Sequence, residues 1–430
     1  MERFLIKGGV KLKGAIKIRG AKNSSTKLMV ASLLTDEGVL LSNFPSIIDT
    51  DLTGQLLREI GGRVDATGSG EVYLRTKKIE SHRVTKLSRK NRIPILTLAP
   101  LIHRTGRAEV PFVGGDAIGA RPVNFHLDIL KKMGATIRIK KDSYVARARK
   151  LSGARITLPF PSVGATETGI LAAVLAKGTT IIRNAAAEPE IIDLISLLQK
   201  MGALIELDTN RIITIEGVKH LGGAEHEIIP DRMEAASFGI LALATDGHIL
   251  VEDARQEHLI TFLNSIRRVG GEYTVERAGI RFFRKEALHP LHIETSPHPG
   301  FMTDWQQPFA VLLMQARGRS TIHETVYEDR FGYVKDFALM GAKIRGLKKC
   351  LGHPCRFAKK NYLHSIEIQG PTVLEGSEFR VLDIRAGLAH LVAALAARGI
   401  SRISGIEHID RGYEKIDVRL RQVGARIERI

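Results

Sequence analysis

Residues 111–126 read Pro-Phe-Val-Gly-Gly-Asp-Ala-Ile-Gly-Ala-Arg-Pro-Val-Asn-Phe-His, a stretch whose residue types suit acid chemistry beside a bound anion. Gly114, Gly115 and Gly119 leave the backbone able to bend close to a ligand. Asp116 stands at the tip of that bend as a proton carrier, and Arg121 follows with a planar, bidentate cation. Pro122 stiffens the exit. A surface turn with a solvated aspartate accounts for this stretch equally well, so the rest of the chain has to decide.

The elements that would position such groups recur along the sequence. Gly20-Ala-Lys-Asn-Ser24, Ser162-Val-Gly-Ala-Thr166, Pro230-Asp-Arg-Met-Glu234, Met302-Thr-Asp-Trp-Gln306 and Asp383-Ile-Arg-Ala-Gly387 each precede a run rich in Ala and Leu. Each puts polar side chains and open N–H groups at a helix N-terminus, which attracts anions. Taken singly, such turns are more often caps than sites. Together with the Asp116 loop they suggest helix N-termini that converge on shared clefts.

Helix ends recur too. Leu56-Leu-Arg-Glu-Ile-Gly-Gly-Arg-Val64 has counterparts at 129–137, 197–205, 265–273, 336–344 and 419–427. Each reads as an amphipathic helix stopped by glycine and followed by a strand. The spacing is about 70 residues, too long for a solenoid repeat, so each unit is an α/β module. Six modules divide naturally as three plus three, with a boundary near Ile229-Pro230.

Composition narrows the class without naming a function. The chain has 430 residues, 44% hydrophobic and 26% charged, which is ordinary for a globular protein. No apolar stretch is long enough to span a bilayer. Met1-Glu-Arg-Phe-Leu-Ile6 runs straight into a strand pattern, so no signal peptide and a cytoplasmic location are expected. The net charge of +18 permits nucleic-acid binding, but the basic residues are spread along the chain and aromatics are only 5%. The basic run 82–92 reads as a solvated helix start. Trp305 reads as core. Cys350 and Cys355 lack the C-x2-C spacing of a zinc ligand pair, and the sequence shows no second pair, so no metal is expected. Neither a P-loop nor a G-x-G-x-x-G fingerprint is present, and no cofactor is expected.

With these motifs assembled, the chain resembles the enolpyruvyl transferase family, in its UDP-sugar branch. The resemblance covers nearly the full length. It runs through Gly20-Ala-Lys-Asn23, the 113–123 loop, Ser162-Val-Gly-Ala-Thr166, Glu188-Pro-Glu190, Pro230-Asp-Arg232, Thr303-Asp304, 324–330, Asp383-Ile-Arg385 and 408–414. It implies an α/β (α+β) fold of two inside-out α/β barrels, each of three βαβαββ repeats, with the active site in the cleft between them. Residues 22–229 would form the first barrel, carrying the Asp116 loop, and residues 1–21 with 230–430 the second.

The resemblance implies transfer of the enolpyruvyl group of phosphoenolpyruvate to the 3′-hydroxyl of UDP-N-acetylglucosamine, releasing phosphate, early in peptidoglycan synthesis. Lys22, Arg121 and Arg411 match the cations that hold phosphoenolpyruvate, with Asn23 beside Lys22. Asp304 matches the carboxylate that takes the proton of the attacking hydroxyl, and Asp116 the acid that protonates the methylene carbon. Arg92, Arg121, Pro122, Val123, Asn124, Phe125, Ser162, Val163, Gly164 and Val326 match positions that hold the nucleotide sugar. Arg330 and Arg385 match residues that support the site or its closure. The implied partners are these small molecules, with no nucleic acid, no membrane insertion and a monomer or weak oligomer.

Several positions depart from the commoner family pattern. Asp116 stands where most members carry cysteine, so an epoxide that alkylates cysteine, such as fosfomycin, is expected not to inactivate this protein covalently. Asn124 replaces a usual aspartate, Phe160-Pro161 stands where some members have lysine, and residues 345–365 look like a basic, Cys-containing insertion. Two other readings stay open: an enolpyruvyl transferase acting on another acceptor, such as shikimate 3-phosphate, and a basic nucleic-acid-binding protein on a related scaffold.

Overall fold

The computed structural model describes residues 2–84, 91–114 and 122–430. By internal contacts these fall into two compact units, residues 20–114 with 122–229, and residues 2–19 with 230–430. Among the described residues there are six sheets, five of four strands and one of three, and each is open rather than closed on itself.

One module shows the plan of all. Strand Arg155–Thr157 lies parallel to Thr179–Arg183, which pairs antiparallel with Ile213–Glu216, and that with Leu204–Leu207. Helix Val163–Ala173 makes the parallel crossover, and helix Pro189–Lys200 leads to the last two strands, giving βαβαββ. All five four-stranded sheets repeat this order of one parallel and two antiparallel pairings. In the three-stranded sheet a single parallel bridge, Arg83 to Glu109, stands where the edge strand would be.

Two units arise because the chain borrows strands across long separations. Ala224–Glu227 closes the first sheet of the 20–229 unit by pairing parallel with Gly38–Ser42. In the 230–430 unit the N-terminus supplies two strands. Lys13–Lys17 pairs parallel with His248–Glu252, and Arg3–Lys7 sits between Ile400–Ser404 and Arg426–Arg429.

Buried helices share each core with the inward-facing residues of the strands. Arg232–Ala244 and Gln306–Leu313 are buried at every residue, and Ile384–Ala396 at all but its last. These three pack on one another. A helix apolar on all sides is stable only when covered all round, and the Ala and Gly positions let neighbouring backbones come close. In the 20–229 unit Leu98–Thr105 packs on Val163–Ala173, and the turn Ile93–Thr97 packs on both Lys22–Ala31 and Val163–Ala173. The outer helices end as their glycines demand. Gly61, Gly134, Gly202, Gly270, Gly341 and Gly424 all have φ between 91° and 105°, the left-handed conformation that glycine adopts without a Cβ penalty.

Candidate active site

Asp116 and Arg121 lie outside the described residues, as do residues 85–90 of the basic run. The other residues singled out in the sequence fall into two groups, one in each unit.

In the 230–430 unit the organising residue is Asp304, in the turn Thr303–Trp305 that opens the buried helix Gln306–Leu313. Arg330 Nη2 donates to Asp304 Oδ1 at 2.8 Å, and Arg385 Nε donates to Oδ2 at 3.1 Å. One guanidinium therefore holds each carboxylate oxygen, which fixes the plane of the group. Arg330 also donates to Gln307 Oε1 at 3.1 Å, and Arg385 Nη1 to the Tyr413 hydroxyl at 2.7 Å. Arg411 closes the short helix Glu407–Asp410, two residues before Tyr413. Burial works against the charge of Arg385, yet Tyr413, Asp304 and Asp231 outweigh it and hold its pKa well above the ordinary arginine value. Arg330 is raised in the same way, against burial, by Asp304, Asp383 and Glu324.

Glu324 ties Val326 to this group. Its Oε2 accepts from Thr303 Oγ1 at 2.8 Å, and its Oε1 from the Val326 and Tyr327 amides at 2.8 and 3.1 Å. Burial pushes its carboxyl above the usual range, with Arg330 opposing. The motifs at 324–330 and 408–414 contain Glu324 and Tyr413, but sequence reasoning gave neither a role, because their roles come from tertiary contacts that no local pattern encodes.

In the 20–229 unit Lys22 is the first residue of helix Lys22–Ala31, with Asn23 next to it, and Lys22 Nζ lies 3.0 Å from Asp49 Oδ2. Asp49 is in the first turn of helix Ile48–Ile60. A second cluster forms around His126, on the helix Asn124–Lys132 that follows Pro122 and Val123. His126 Nδ1 contacts Thr168 Oγ1 at 2.7 Å. Its ring lies against Gly164, where an added Cβ would come within 2.9 Å of Cε1. Burial, with Arg92 adding to it, drives the His126 pKa down to about 3, so the ring is neutral at physiological pH. Arg92, Asn124, Phe125, Val163 and Gly164 are thus carried by elements that meet at one buried histidine. Ser162 is the N-cap of helix Val163–Ala173, its hydroxyl accepting from the Ala165 amide at 3.4 Å.

Some of the helix-start turns are caps first. Asp231 Oδ1 accepts from the Met233 and Glu234 amides at 2.7 and 3.2 Å, and Asp383 Oδ1 from Arg385 and Ala386 at 2.8 and 3.0 Å. By capping, Asp383 also sets the position of Arg385. Trp305 is 2% exposed and packs edge-on to Phe301, a core residue rather than a stacking platform.

A family model described as EPSP synthase (3-phosphoshikimate 1-carboxyvinyltransferase) matches residues 6–420. The UDP-N-acetylglucosamine 1-carboxyvinyltransferase of Protochlamydia amoebophila is 48% identical over 439 residues, covering 99% of this chain and 94% of that protein. The protein of the same name from Chlamydia muridarum is 48% identical over 427 residues, covering 98% of this chain and 97% of its own length. Among solved structures, the enolpyruvyl transferase NikO from Streptomyces tendae superposes with a TM-score of 0.85 over 100% of this chain and 99% of that one. At 22% identity that likeness speaks for the fold alone.

Proposed function

This chain belongs to the EPSP synthase (3-phosphoshikimate 1-carboxyvinyltransferase) family, and from that premise we propose that it transfers the enolpyruvyl group of phosphoenolpyruvate to the 3′-hydroxyl of UDP-N-acetylglucosamine, releasing phosphate. The observation that carries this acceptor is near-half identity, over almost the whole chain, to relatives bearing the name of that reaction. The product, UDP-N-acetylglucosamine enolpyruvate, opens peptidoglycan synthesis, and the reaction belongs in the cytoplasm. Among the described residues no helix is long and apolar enough to cross a membrane.

The roles follow from the chemistry required. Phosphoenolpyruvate carries a phosphate and a carboxylate, so Lys22, Arg121 and Arg411 hold it with charge-assisted hydrogen bonds. Asp304, oriented by Arg330 and Arg385, takes the proton of the 3′-hydroxyl as that oxygen attacks C2. Asp116 gives a proton to the methylene carbon, which leaves C2 electrophilic. The resulting ketal then loses phosphate and a methyl proton, restoring the double bond. Arg92, the 122–125 segment and the start of the helix at Ser162, Val163 and Gly164 hold the nucleotide sugar, a role that Val326 shares. His126, held neutral by its burial, adds no charge of its own beside Arg92.

Phosphate release from phosphoenolpyruvate, with and without UDP-N-acetylglucosamine, tests the proposal in the wild type, Asp116→Asn and Asp116→Cys. Release that needs the sugar nucleotide, vanishes in the Asn variant and survives in the Cys variant is expected. Release that needs shikimate 3-phosphate instead would transfer the acceptor and keep the chemistry.

A further inference from the structure

We propose that His323, Cys350 and Cys355 form a binding site for a thiophilic divalent cation, best matched by zinc, which fastens the long 348–364 loop to the end of a sheet. The two thiol sulfurs and one ring nitrogen of His323 lie within 4.8 Å of one another. The sulfurs are 3.6 Å apart. Around a tetrahedral zinc with Zn–S bonds of about 2.3 Å, two thiolates sit roughly 3.8 Å apart, so the sulfur pair already has nearly that spacing and the histidine ring would close in on it.

His323 supplies the independent observation. It ends the central strand Gly318–His323 and is 2% exposed. Its Nε2 is buried and has no hydrogen-bond partner among the described residues. Burying an unpaired ring nitrogen is costly unless a ligand takes it up. Nδ1 faces Glu294 Oε2 at 3.3 Å, across the parallel pairing of His323 with Glu294. A carboxylate on one ring nitrogen sets the tautomer in which the other offers its lone pair, the arrangement that supports metal-bound histidines.

The loop is built over this point. In four other modules the last two strands are joined by a short turn, as between Glu276 and Gly279, whereas here Leu347 and Ser365 are joined by the 348–364 loop. It contains no helix or strand. The His353 amide donates to Glu294 Oε2 at 2.9 Å and the Leu351 amide to Ser365 Oγ at 3.0 Å. Gly352 sits so close that an added Cβ would fall 2.7 Å from His323 Nδ1. Two sulfurs and one nitrogen fill three tetrahedral positions, and solvent supplies the fourth. Arg356 donates to the Val326 carbonyl, so fastening the loop also steadies the segment that carries Val326.

The test uses reduced, metal-free full-length protein titrated with zinc, and with cobalt as a spectroscopic probe. The wild type is expected to bind about one zinc per chain, to give a thiolate-to-cobalt charge-transfer band and to gain resistance to trypsin at the lysines and arginines of 348–364. Cys350→Ser with Cys355→Ser should lose all three responses, and His323→Gln should weaken zinc binding about 10- to 100-fold while keeping both thiols. If the serine pair fails to fold, the His323→Gln titration and removal of zinc from the wild type by chelator carry the same test. Absence of uptake by reduced wild type would overturn the site, as would uptake unchanged in the variants. So would a Cys350–Cys355 disulfide that forms in air and alone protects the loop, zinc having no effect.

Discussion

At the scale of single residues, the Asp304 carboxylate is held between two guanidiniums that enter from 26 and 81 positions away. Removing one partner of a buried charge group leaves the others uncompensated, which costs more than the pair contributes in sum. Arg330→Met is therefore expected to lower unfolding stability by about 3 kcal/mol, because Glu324 and Asp304 lose their shared cation. Denaturant unfolding checks this; a midpoint equal to the wild type would mean that the arginine is not compensating these carboxylates. Glu167 makes a pH prediction. Burial, with Glu190 and Glu188 adding to it and Lys27 opposing, raises its pKa from 4.5 to about 7. The folded chain thus holds a proton that the unfolded chain has released, so this residue's contribution falls as pH rises from 4.5 towards 7. Glu167→Gln should match the wild type near pH 4 and exceed it by roughly 3 kcal/mol at pH 8. Thermal unfolding across that range reads the difference, and parallel curves would refute it. The residue types at Asp304, Arg330 and Arg385 were legible in the sequence. Their mutual contact was not, since nothing local encodes which arginine reaches which carboxylate.

At the scale of elements, the glycine that stops each outer helix was the clearest sequence signal, because it answers to a local backbone need. All six adopt positive φ. Gly134 separates that need from packing, having φ +99° and no atom within 4 Å of an added Cβ. Gly134→Ala is expected to cost about 1–2 kcal/mol through backbone strain alone. Gly332 is equally open but not left-handed, so Gly332→Ala should be near neutral. Denaturant midpoints of the two variants give the comparison, and equal shifts would discard the backbone explanation. The helix-start turns were legible as polar N-termini, but not which would cap and which would be left for ligands. Asp231 and Asp383 spend their carboxylates on their own helices, while Asp304 reaches back to arginines. The cysteine pair taught the converse. Spacing alone argued against a metal, because it could not show that His323, from a different strand, would lie beside the two sulfurs.

At the scale of the whole molecule, six repeats of one topology and a division near residue 230 could be read from the recurrence of helix ends. The repeats did not place the N-terminal strands, which only the resemblance assigned to the 230–430 half, since a five-residue strand carries no record of a partner about 400 positions away. Arg3–Lys7 pairs on both edges and buries Phe4 and Ile6 completely. Deleting residues 2–9 is expected to lower the stability of the 230–430 unit by at least about 4 kcal/mol, while the 20–229 unit unfolds as before. Calorimetry with limited proteolysis separates the two transitions, and an unchanged profile would show the strand to be dispensable. The same strand sets an order of assembly on the ribosome. Every strand of the 20–229 unit has been synthesised by residue 227, so that unit can close while the rest is still being made. Strand Arg3–Lys7 must wait, unpaired, for Ile400–Ser404 and Arg426–Arg429, which are translated long after it. Its Phe4 and Ile6, buried in the fold and alternating with exposed Arg3 and Lys7 and half-buried Leu5, are what a nascent chain must keep from sticking elsewhere until then.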